Sequence, residues 1–373
     1  MRSSLQRLLY AATLVAAILN PAIARAEAPA SDPCVPGVLP HGTLSLVCIP
    51  PNWNGALVVY AHGYVSSGEP LGFYHLTTPD GTTSVPALAM ALGYAFATTS
   101  YRKNGLAILE GVEDMQELIQ AFSFAHGVPA KTYLAGVSEG GLVAALLSER
   151  SPGLLTSTLA MCGPIGSFQG QLDHFEDFRV LFDYFFPAVL PGNAVSVPPI
   201  TMDYWNTVLV PNILAAVAAR PAAALELVRV AHAAIDIADP TTVGQTIVGL
   251  LWYSAFATTD AQTALGGNPY DNRFRWYFGS SDDLRLNLHV QRFAASPAAR
   301  LAVRNYETNG HLRIPMVTLH TTGDPITPVW HELLYFLKAD TFARTEFIPL
   351  PIARYGHCNF TTAELLFAFS AIR

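Results

Sequence analysis

Charged side chains are scarce in this chain, and those present form no basic block. Asp, Glu, Lys and Arg make up 13% of the 373 residues, and the formal net charge is −7 at pH 7. Nucleic-acid-binding surfaces need clustered Lys and Arg, so this composition argues against a nucleic-acid partner. The length of the chain and its 51% of hydrophobic residues are enough to form one large α/β domain, or one domain with an added cap.

Long uninterrupted apolar runs are missing after the N-terminal region. The most apolar later stretch, 207–235, is broken by Pro211, by Pro221 and by charged residues. A helix that crosses a bilayer needs about 20 consecutive apolar residues. We therefore expect no stable membrane span in this part of the chain.

The N-terminus has the pattern of a signal peptide. Arg2 and Arg7 precede an apolar region at 8–19, which is too short to cross a bilayer. The sequence Ala-Arg-Ala then offers small residues around a cleavage site. We predict a signal peptide at residues 1–26, with cleavage after Ala28 as an alternative, and hence a secreted or periplasmic protein. An uncleaved membrane anchor is the other interpretation.

Cysteine is rare, with four residues in the chain. Cys34 and Cys48 flank a turn rich in Pro and Gly, which in an exported protein predicts a disulfide across an N-terminal β-hairpin. Cys162 and Cys358 fall at the ends of predicted strands and form either a second bridge or two buried free thiols. No C-x-x-C or H-x-x-x-H pattern indicates a metal site, so we expect neither a metal nor a cofactor.

A strand, a serine and a helix follow one another within 131–147. A β-branched apolar run ends at Val137, Ser138 follows at once, and an apolar helical pattern begins at Gly140. Residues 136–140 therefore form a G-x-S-x-G sequence at a strand-to-helix turn. Such a sharp turn excludes bulk two positions before and after the serine, and it lifts the hydroxyl clear of the strand ends. The alternative is a glycine-rich turn with an exposed serine.

Strand and helix patterns alternate around this turn. Strands are predicted at 56–61, 94–100, 133–137 and 156–162, and helices at 84–92, 106–126 and after Ser138. This alternation predicts a mainly parallel sheet with helices on both faces. Residues 165–312 interrupt it with helical patterns broken by prolines, and strands resume at 315–322 and 345–351. We expect a core of residues 27–164 and 313–373, with a mainly helical cap at 165–312.

Two candidate partners of Ser138 follow predicted strands late in the chain. Asp324 lies in a Gly-Asp-Pro turn, and His357 lies beside Gly356 on a later loop. In a nucleophilic mechanism, Ser138 would attack a carbonyl and His357 would take and return the proton, while Asp324 would orient His357. Other carboxylates and histidines remain as alternatives: Asp282, Asp283, His311, His320 and His331.

A second loop could help to bind a developing negative charge. The predicted strand 56–61 ends in His62-Gly63-Tyr64, where glycine lets the backbone approach a substrate. We expect the backbone N–H groups of Tyr64 and Glu139 to form an oxyanion hole, with Gly63 as the alternative to Tyr64. For His62 we expect a structural role, in which its ring hydrogen-bonds the loop backbone.

On these motifs the chain resembles the α/β-hydrolase superfamily, in its secreted serine-hydrolase branches, over roughly residues 42–162 and 313–373. The resemblance implies the α/β-hydrolase fold and serine hydrolysis by a triad in the chain order Ser, Asp, His. It specifies no substrate. The pair His357-Cys358 is also similar to the His-Cys pair of tannases and feruloyl esterases, but Val137 stands where those enzymes carry a cysteine before the serine.

Aromatic residues are dense within 168–186. We predict that Phe175, Phe178 and Phe182 line an apolar acyl or aryl pocket, with packing inside the cap as the alternative. The function predicted from the sequence is therefore hydrolysis of carboxylic esters, on a small-molecule or polymer substrate with an apolar part.

Two other functions remain open. A secreted serine aminopeptidase would hold a substrate amine with cap carboxylates, for which Asp173, Glu176 and Asp177 are the candidates. A non-catalytic binding protein could use the same fold, although such proteins typically lose a triad member. The sequence gives no indication of the oligomeric state.

Overall fold

The computed structural model describes residues 33–373, apart from the side chains of residues 341–343. The predicted signal peptide, residues 1–26, and the alternative cleavage site at Ala28 lie outside the described residues. Within the described range, no single helix has the length and apolar composition of a membrane span. The segments Met202–Ala219 and Pro221–Val230 have that length and composition only when taken together, and the two are bent by 103° relative to each other.

Eight strands form one sheet in the described part of the chain. Along the chain they are β1 (Cys34–Val38), β2 (Leu44–Cys48), β3 (Ala56–Ala61), β4 (Ala95–Thr99), β5 (Lys131–Val137), β6 (Ser157–Met161), β7 (Met316–Gly323) and β8 (Phe347–Tyr355). Their order across the sheet is β1-β2-β4-β3-β5-β6-β7-β8. The first two strands pair antiparallel, and all pairs from β4 to β8 are parallel.

Helices pack on both faces of the sheet and fill the connection between β6 and β7. They are α1 (Val85–Ala91), α2 (Ile108–His126), α3 (Glu139–Arg150), α4 (Phe168–Phe185), α5 (Met202–Tyr204), α6 (Val210–Ala219), α7 (Pro221–Val230), α8 (Thr241–Leu265), α9 (Asp283–His289), α10 (Pro297–Ala302), α11 (Trp330–Lys338), α12 (Thr341–Glu346) and α13 (Thr362–Ser370). Short 3₁₀ turns at Pro152–Leu154 and Val303–Tyr306, and a π-helical turn at Trp205–Leu209, complete them.

The central strands are buried on both faces, which explains their continuous apolar sequences. Every residue of β3, β4 and β6 is buried. One face of the sheet packs against α2 and α3 through residues such as Leu57 and Leu134. The other face packs against α1 and α13 through residues such as Val58 and Leu159. This is the arrangement expected for a parallel sheet covered by its crossover helices.

Helices α4–α10 form the helical insertion, defined here as residues 165–312. It has a separate apolar core, which includes Phe178, Trp205, Leu227 and Ile247. The insertion begins where β6 ends, at the edge of the sheet where the parallel strands terminate, and the chain then returns to the opposite edge to begin β7. The proposed catalytic residues lie at the edge where the insertion begins.

Two disulfides are present in the described chain, and no cysteine there is free. Cys34 and Cys48 face each other across the β1–β2 ladder and are bonded, as the hairpin interpretation predicts. Cys162 and Cys358 form the second bridge, which resolves the alternative of two free thiols. The second bridge connects the end of β6 to the loop after β8.

Candidate active site

The backbone at Ser138 has the sharp turn that the sequence predicts. Its φ of 56° and ψ of −120° are rare for a residue with a side chain. A Cβ atom at Gly136 would overlap the carbonyl oxygen of Gly140, and one at Gly140 would overlap the carbonyl oxygen of Ala61. Glycine at both positions is therefore required, because β5, α3 and β3 approach one another backbone to backbone at this turn.

Ser138, His357 and Asp324 form a continuous hydrogen-bonded series. Ser138 Oγ lies 2.8 Å from His357 Nε2, and His357 Nδ1 lies 2.7 Å from Asp324 Oδ2. An ionised carboxylate only accepts hydrogen bonds, so Nδ1 carries the proton. Nε2 then presents its lone pair to the serine hydroxyl, which is the geometry needed to remove the hydroxyl proton.

Asp324 is held rigidly by the turn after β7. Its side chain is fully buried, and Oδ1 accepts hydrogen bonds from the backbone N–H groups of Ile326 at 2.8 Å and Thr327 at 2.9 Å. Hydrogen bonds to a buried carboxylate favour its charged form. The Gly-Asp-Pro turn therefore fixes both the position and the acceptor role of this side chain.

A second histidine lies behind Asp324. His320 Nε2 is 3.7 Å from Asp324 Oδ2 and 2.7 Å from the carbonyl oxygen of Thr327, and Nδ1 is 2.9 Å from Glu332 Oε1. Both ring nitrogens face acceptors, which requires both to carry protons. Burial lowers the pKa of His320, but the hydrogen bond and charge of Glu332 outweigh it and the pKa is raised. A cationic imidazole thus faces Asp324.

The loop after β3 lies directly against Ser138. A Cβ atom built on Gly63 would come within 3.1 Å of Ser138 Cβ, so a larger residue would displace the serine. His62 is buried, donates a hydrogen bond from Nδ1 to the carbonyl oxygen of Gly63 at 2.8 Å, and stacks on Tyr101. Burial lowers the pKa of His62 to about 4, so its ring is neutral.

Tyr64 connects this loop to the helical insertion. Its hydroxyl donates a hydrogen bond to Asp260 of α8, and Ser67 donates another to the same carboxylate at 2.7 Å. The Tyr64 ring also packs against Trp252 and Tyr253. Burial, with the charge of Asp260, raises the pKa of Tyr64 well above its ordinary value. Helix α8 therefore restrains the loop whose backbone faces Ser138.

Glu139, the residue after the serine, is buried beneath the turn. Its Oε1 accepts a hydrogen bond from the backbone N–H of Ala107 at 2.8 Å. Burial raises the pKa of Glu139 to about 8, and the charges of Asp260 and Glu110 act in the same direction. At neutral pH this side chain is mostly protonated, so it adds little negative charge where an oxyanion would form.

Two cavities adjoin Ser138. The larger, of about 290 Å³, extends past His357 and Gly63 and is lined almost entirely by apolar side chains from the sheet, α1 and α13. The smaller, of about 50 Å³, lies beside Glu139 and is lined by residues of α4, including Phe168 and Phe175. Tyr64, Ser138 and Tyr253 border both cavities. Two separate spaces therefore meet at Ser138.

The three predicted pocket phenylalanines occupy different places. Phe175 lines the smaller cavity. Phe178 and Phe182 have no exposed surface and lie in the core of the helical insertion, and neither lines either cavity at Ser138. Phe178 and Phe182 therefore do not line the predicted apolar pocket. On helix α4 they face inward with Val180 and Leu181, so they serve packing.

The carboxylates considered for amine binding are engaged elsewhere. Arg275 pairs with Asp173 at 2.8 Å and also with Asp177. Glu176 is fully buried and accepts a hydrogen bond from Ser254 at 3.3 Å, and burial raises its pKa to about 8. None of the three carboxylates lines either cavity at Ser138.

The second disulfide lies against the histidine. Cys358 Sγ is 3.4 Å from His357 Nε2. Donor atoms of Cys162, His357 and Cys358 all fall within 4.8 Å of one another, as in a metal site. Both sulfurs are bonded to each other, however, and offer no thiolate to an ion.

The structure brings further residues to the site that the sequence did not indicate. His75 has a φ of 55° and lines the larger cavity, and burial beside His357 lowers its pKa. Asp260 accepts a hydrogen bond from Tyr64, and Glu332 accepts one from His320. Each of these residues lies inside a loop or helix with no local motif.

No protein-family model matches the chain, and no curated protein matches it. Among solved structures, it is similar to an esterase of Pyrococcus furiosus, with 12% identity over 91% of this chain and 88% of that one, at a TM-score of 0.47. It is also similar to a proline iminopeptidase of Mycobacterium smegmatis, with 15% identity over 91% and 96%, at a TM-score of 0.44.

A third similar structure is an acylaminoacyl peptidase of Pyrococcus horikoshii, with 12% identity over 88% of this chain and 38% of that one, at a TM-score of 0.45.

The fold is identified from the architecture of the chain itself. The antiparallel strands β1 and β2 precede a parallel sheet ordered β4-β3-β5-β6-β7-β8, and a serine stands on the turn between β5 and the following helix. The chain has the α/β-hydrolase fold.

Proposed function

We propose that this protein is a secreted serine hydrolase that cleaves carboxylic esters through an acyl-enzyme on Ser138. One observation carries the proposal: Ser138 Oγ, His357 and Asp324 are joined by hydrogen bonds of 2.8 and 2.7 Å with the imidazole in the tautomer that accepts a proton. An esterase and peptidases are among the solved structures to which the chain is similar, and both groups of enzymes are hydrolases.

The proposed reaction has two halves. His357 Nε2 removes the Ser138 proton as Oγ attacks the ester carbonyl, and the backbone N–H groups of Glu139 and Tyr64 stabilise the oxyanion. His357 then protonates the departing alcohol, which leaves the acyl group on Ser138. A water molecule, deprotonated by His357, attacks this acyl-enzyme, and His357 returns that proton to Ser138 Oγ as the carboxylic acid is released. Asp324 orients the imidazole and stabilises its charged form in both halves.

Ester hydrolysis is favoured over aminopeptidase activity by the position of the carboxylates. An aminopeptidase must hold a substrate ammonium group near the scissile bond, which requires an accessible carboxylate. Asp173 and Asp177 are paired with Arg275, and Glu176 is buried against Ser254. The larger cavity contains no Asp, Glu, Lys or Arg, which suits an uncharged apolar substrate.

The helical insertion is proposed to act as a cap. Its residues Phe175 and Ala257 border the smaller cavity, and Tyr253 borders both. Asp260 of α8 holds the Tyr64 loop from the same side. Two disulfides among the described residues are compatible with export to an oxidising compartment, as the signal-peptide pattern at residues 1–26 predicts.

The test is a side-by-side assay of p-nitrophenyl esters and aminoacyl p-nitroanilides. Ester hydrolysis is expected, and Ser138→Ala should reduce it at least a thousandfold, because the nucleophile is lost. Ser281→Ala, which removes an exposed hydroxyl, is the matched control and should retain wild-type activity. Turnover of the anilides alone would establish the aminopeptidase function instead, and unreactivity of Ser138 to a fluorophosphonate in folded protein would indicate a non-catalytic binding protein.

A further inference from the structure

The larger cavity enters the fold between the sheet and two helices. Its sheet wall is formed by Val58 and Tyr60 of β3, Ala135 and Val137 of β5, and Leu159 and Met161 of β6. These residues alternate along their strands, so all of them face the side of the sheet that α1 and α13 cover. The opposite wall comes from α1 and α13, with Leu88, Ala89, Leu92, Leu365, Leu366 and Phe369. The cavity therefore runs along the sheet, away from the helical insertion.

Strand register gives the depth of this cavity. Val58 at its inner end pairs with Tyr133, five residues before Ser138 on the same strand. At about 3.3 Å per residue, the distance from Ser138 to the inner end is about 16 Å. Phe369 closes the inner end, because its ring packs on Tyr133 and Tyr94 at 5.6 and 5.5 Å.

The shape fits one extended hydrocarbon chain. An extended backbone advances about 3.5 Å per three bonds, so about 16 Å corresponds to roughly 13 bonds. A volume of about 290 Å³ holds about ten groups of the size of a water molecule, at about 30 Å³ each. A methylene group is of similar size. The length allows a hydrocarbon chain of at most about 13 bonds and the volume allows about ten such groups, so the two together fit a chain of about 8 to 12 carbons.

The walls beyond the entrance are mostly apolar; Thr77 lines the cavity, and the polar side chains of Tyr60 and Thr78 hydrogen-bond within the protein. The Tyr60 hydroxyl donates to the carbonyl oxygen of His75 at 2.9 Å, and Thr78 donates to Asp80 at 2.7 Å. The histidines that line the cavity, His75 and His357, lie with Ser138 at the entrance. A charged or strongly polar chain would lose its hydration there without compensation.

We propose that this cavity binds an unbranched hydrocarbon chain of about 8 to 12 carbons, carried on the ester that Ser138 cleaves. The proposal rests on the proposed esterase function and names its substrate class. The chain can belong to the acyl half or to the alcohol half of the ester, since both meet at the scissile carbonyl. Its other half then occupies the smaller cavity beside Glu139.

Two substrate series distinguish the acyl half from the alcohol half. In one, p-nitrophenyl esters vary from acetate to dodecanoate, and in the other, acetate esters vary from ethanol to dodecanol. Each buried methylene should raise kcat/KM about fourfold in the series whose hydrocarbon chain enters the cavity, up to about ten carbons. A flat profile in both series, with Ser138-dependent hydrolysis intact, would overturn the chain-binding proposal and leave the esterase proposal standing.

Amino-acid substitutions in the cavity walls test where the hydrocarbon chain lies. Ala135→Leu and Ala89→Leu put bulk into the cavity from opposite walls, and each should lower the ratio of long-chain to acetate kcat/KM at least tenfold. Phe369→Leu shortens the inner wall and should move the optimum to longer chains. Ala87→Leu, on the exposed face of α1, is the matched control and should leave the profile unchanged. An unchanged profile in folded Ala135→Leu and Ala89→Leu would contradict the proposal.

A binding measurement separates this proposal from catalysis. Decan-1-ol should raise the melting temperature of Ser138→Ala, and the additional change Ala135→Leu should abolish that rise. Binding without any ester hydrolysis by the wild type would retain the chain site and reject the esterase function. Absence of a shift with decan-1-ol in the Ser138→Ala protein would reject the chain site.

Discussion

Cys358, the residue directly after His357, is bonded to Cys162, the residue directly after β6. Both residues have positive φ angles, 50° for Cys358 and 44° for Cys162. The bridge therefore anchors a tight loop, and its sulfur lies 3.4 Å from the His357 nitrogen that faces Ser138. It ties the loop that carries His357 to the strand end next to Ser138.

Replacing Cys162 and Cys358 together by serine should lower kcat about tenfold with little change in KM. The loop that carries His357 would sample more positions, and fewer of them would hold Nε2 within hydrogen-bonding reach of Ser138. The variant should also lose about 2–4 kcal/mol of unfolding free energy. Ester kinetics and urea unfolding measure the two effects.

The control for this variant is the other bridge of the described chain. Replacing Cys34 and Cys48 by serine should reduce stability without a change in kcat, because these residues lie on the β1–β2 hairpin at one side of the sheet, three strands or more from β5 and Ser138. An equal loss of kcat in both double variants would mean that the second bridge acts only through stability.

Asp324→Asn should lower kcat about 10⁴-fold while the protein remains folded. The amide can still accept the N–H groups of Ile326 and Thr327, but its NH₂ group facing Nδ1 would favour the wrong tautomer of His357. Steady-state kinetics with a p-nitrophenyl ester measures this. Asp239→Asn, an exposed capping aspartate, should be indistinguishable from wild type. A loss below tenfold for Asp324→Asn would argue against its assigned orienting role.

His320 should make stability depend on pH in the neutral range. Its pKa is raised in the folded state by Glu332, so its contribution is complete below the ordinary value of 6.5 and is lost as pH rises through the folded value. The unfolding free energy of the wild type should therefore fall more steeply above pH 6.5 than that of His320→Gln. Urea titrations at pH 5.5, 7 and 8.5 provide the comparison, with exposed His126→Gln as control.

Glu139→Gln should become progressively more stable than the wild type as pH rises. The folded pKa of Glu139 is about 8 against an ordinary 4.5, so between these values the unfolded state has released a proton that the folded state retains. Stability of the wild type therefore falls across that window. Glutamine keeps the acceptor for Ala107 and removes the titration. The melting temperature of the variant should exceed that of the wild type by more at pH 8.5 than at pH 5.

Glu113→Gln is the control for this comparison, since Glu113 is 64% exposed. The difference between its melting temperature and that of the wild type should be the same at both pH values. Parallel pH profiles for Glu139→Gln and the wild type would show that Glu139 is ionised in the folded protein.

The residues of the hydrogen-bonded series could be predicted because each sits in a local motif. Ser138 is marked by glycines two positions away, and Asp324 and His357 are marked by turns that directly follow apolar strands. The fold could be predicted from the same alternation of strand and helix patterns. One local exception is helix α12 (Thr341–Glu346), which occupies residues where the strand pattern at 345–351 was expected to begin.

The cavity walls could not be predicted in the same way. Periodicity shows that Leu88, Phe178 and Phe182 are apolar positions on helices, but a packed side chain and a cavity-lining side chain have the same pattern. The contact of Tyr64 with Asp260 joins residues 196 apart in sequence. Such contacts depend on how the insertion sits against the sheet, and no local motif encodes that.

Ser138 and His357 are 219 residues apart in sequence, yet their side chains are in hydrogen-bonding contact. Closing so long a loop is among the slowest kinds of step in folding, because entropy is lost before any contact stabilises it. The contact between Ser138 and His357 thus forms only when the chain has assembled β8 beside β7. In a refolding experiment, enzymatic turnover would report the final assembly event, later than the fluorescence changes that follow burial of the aromatic residues.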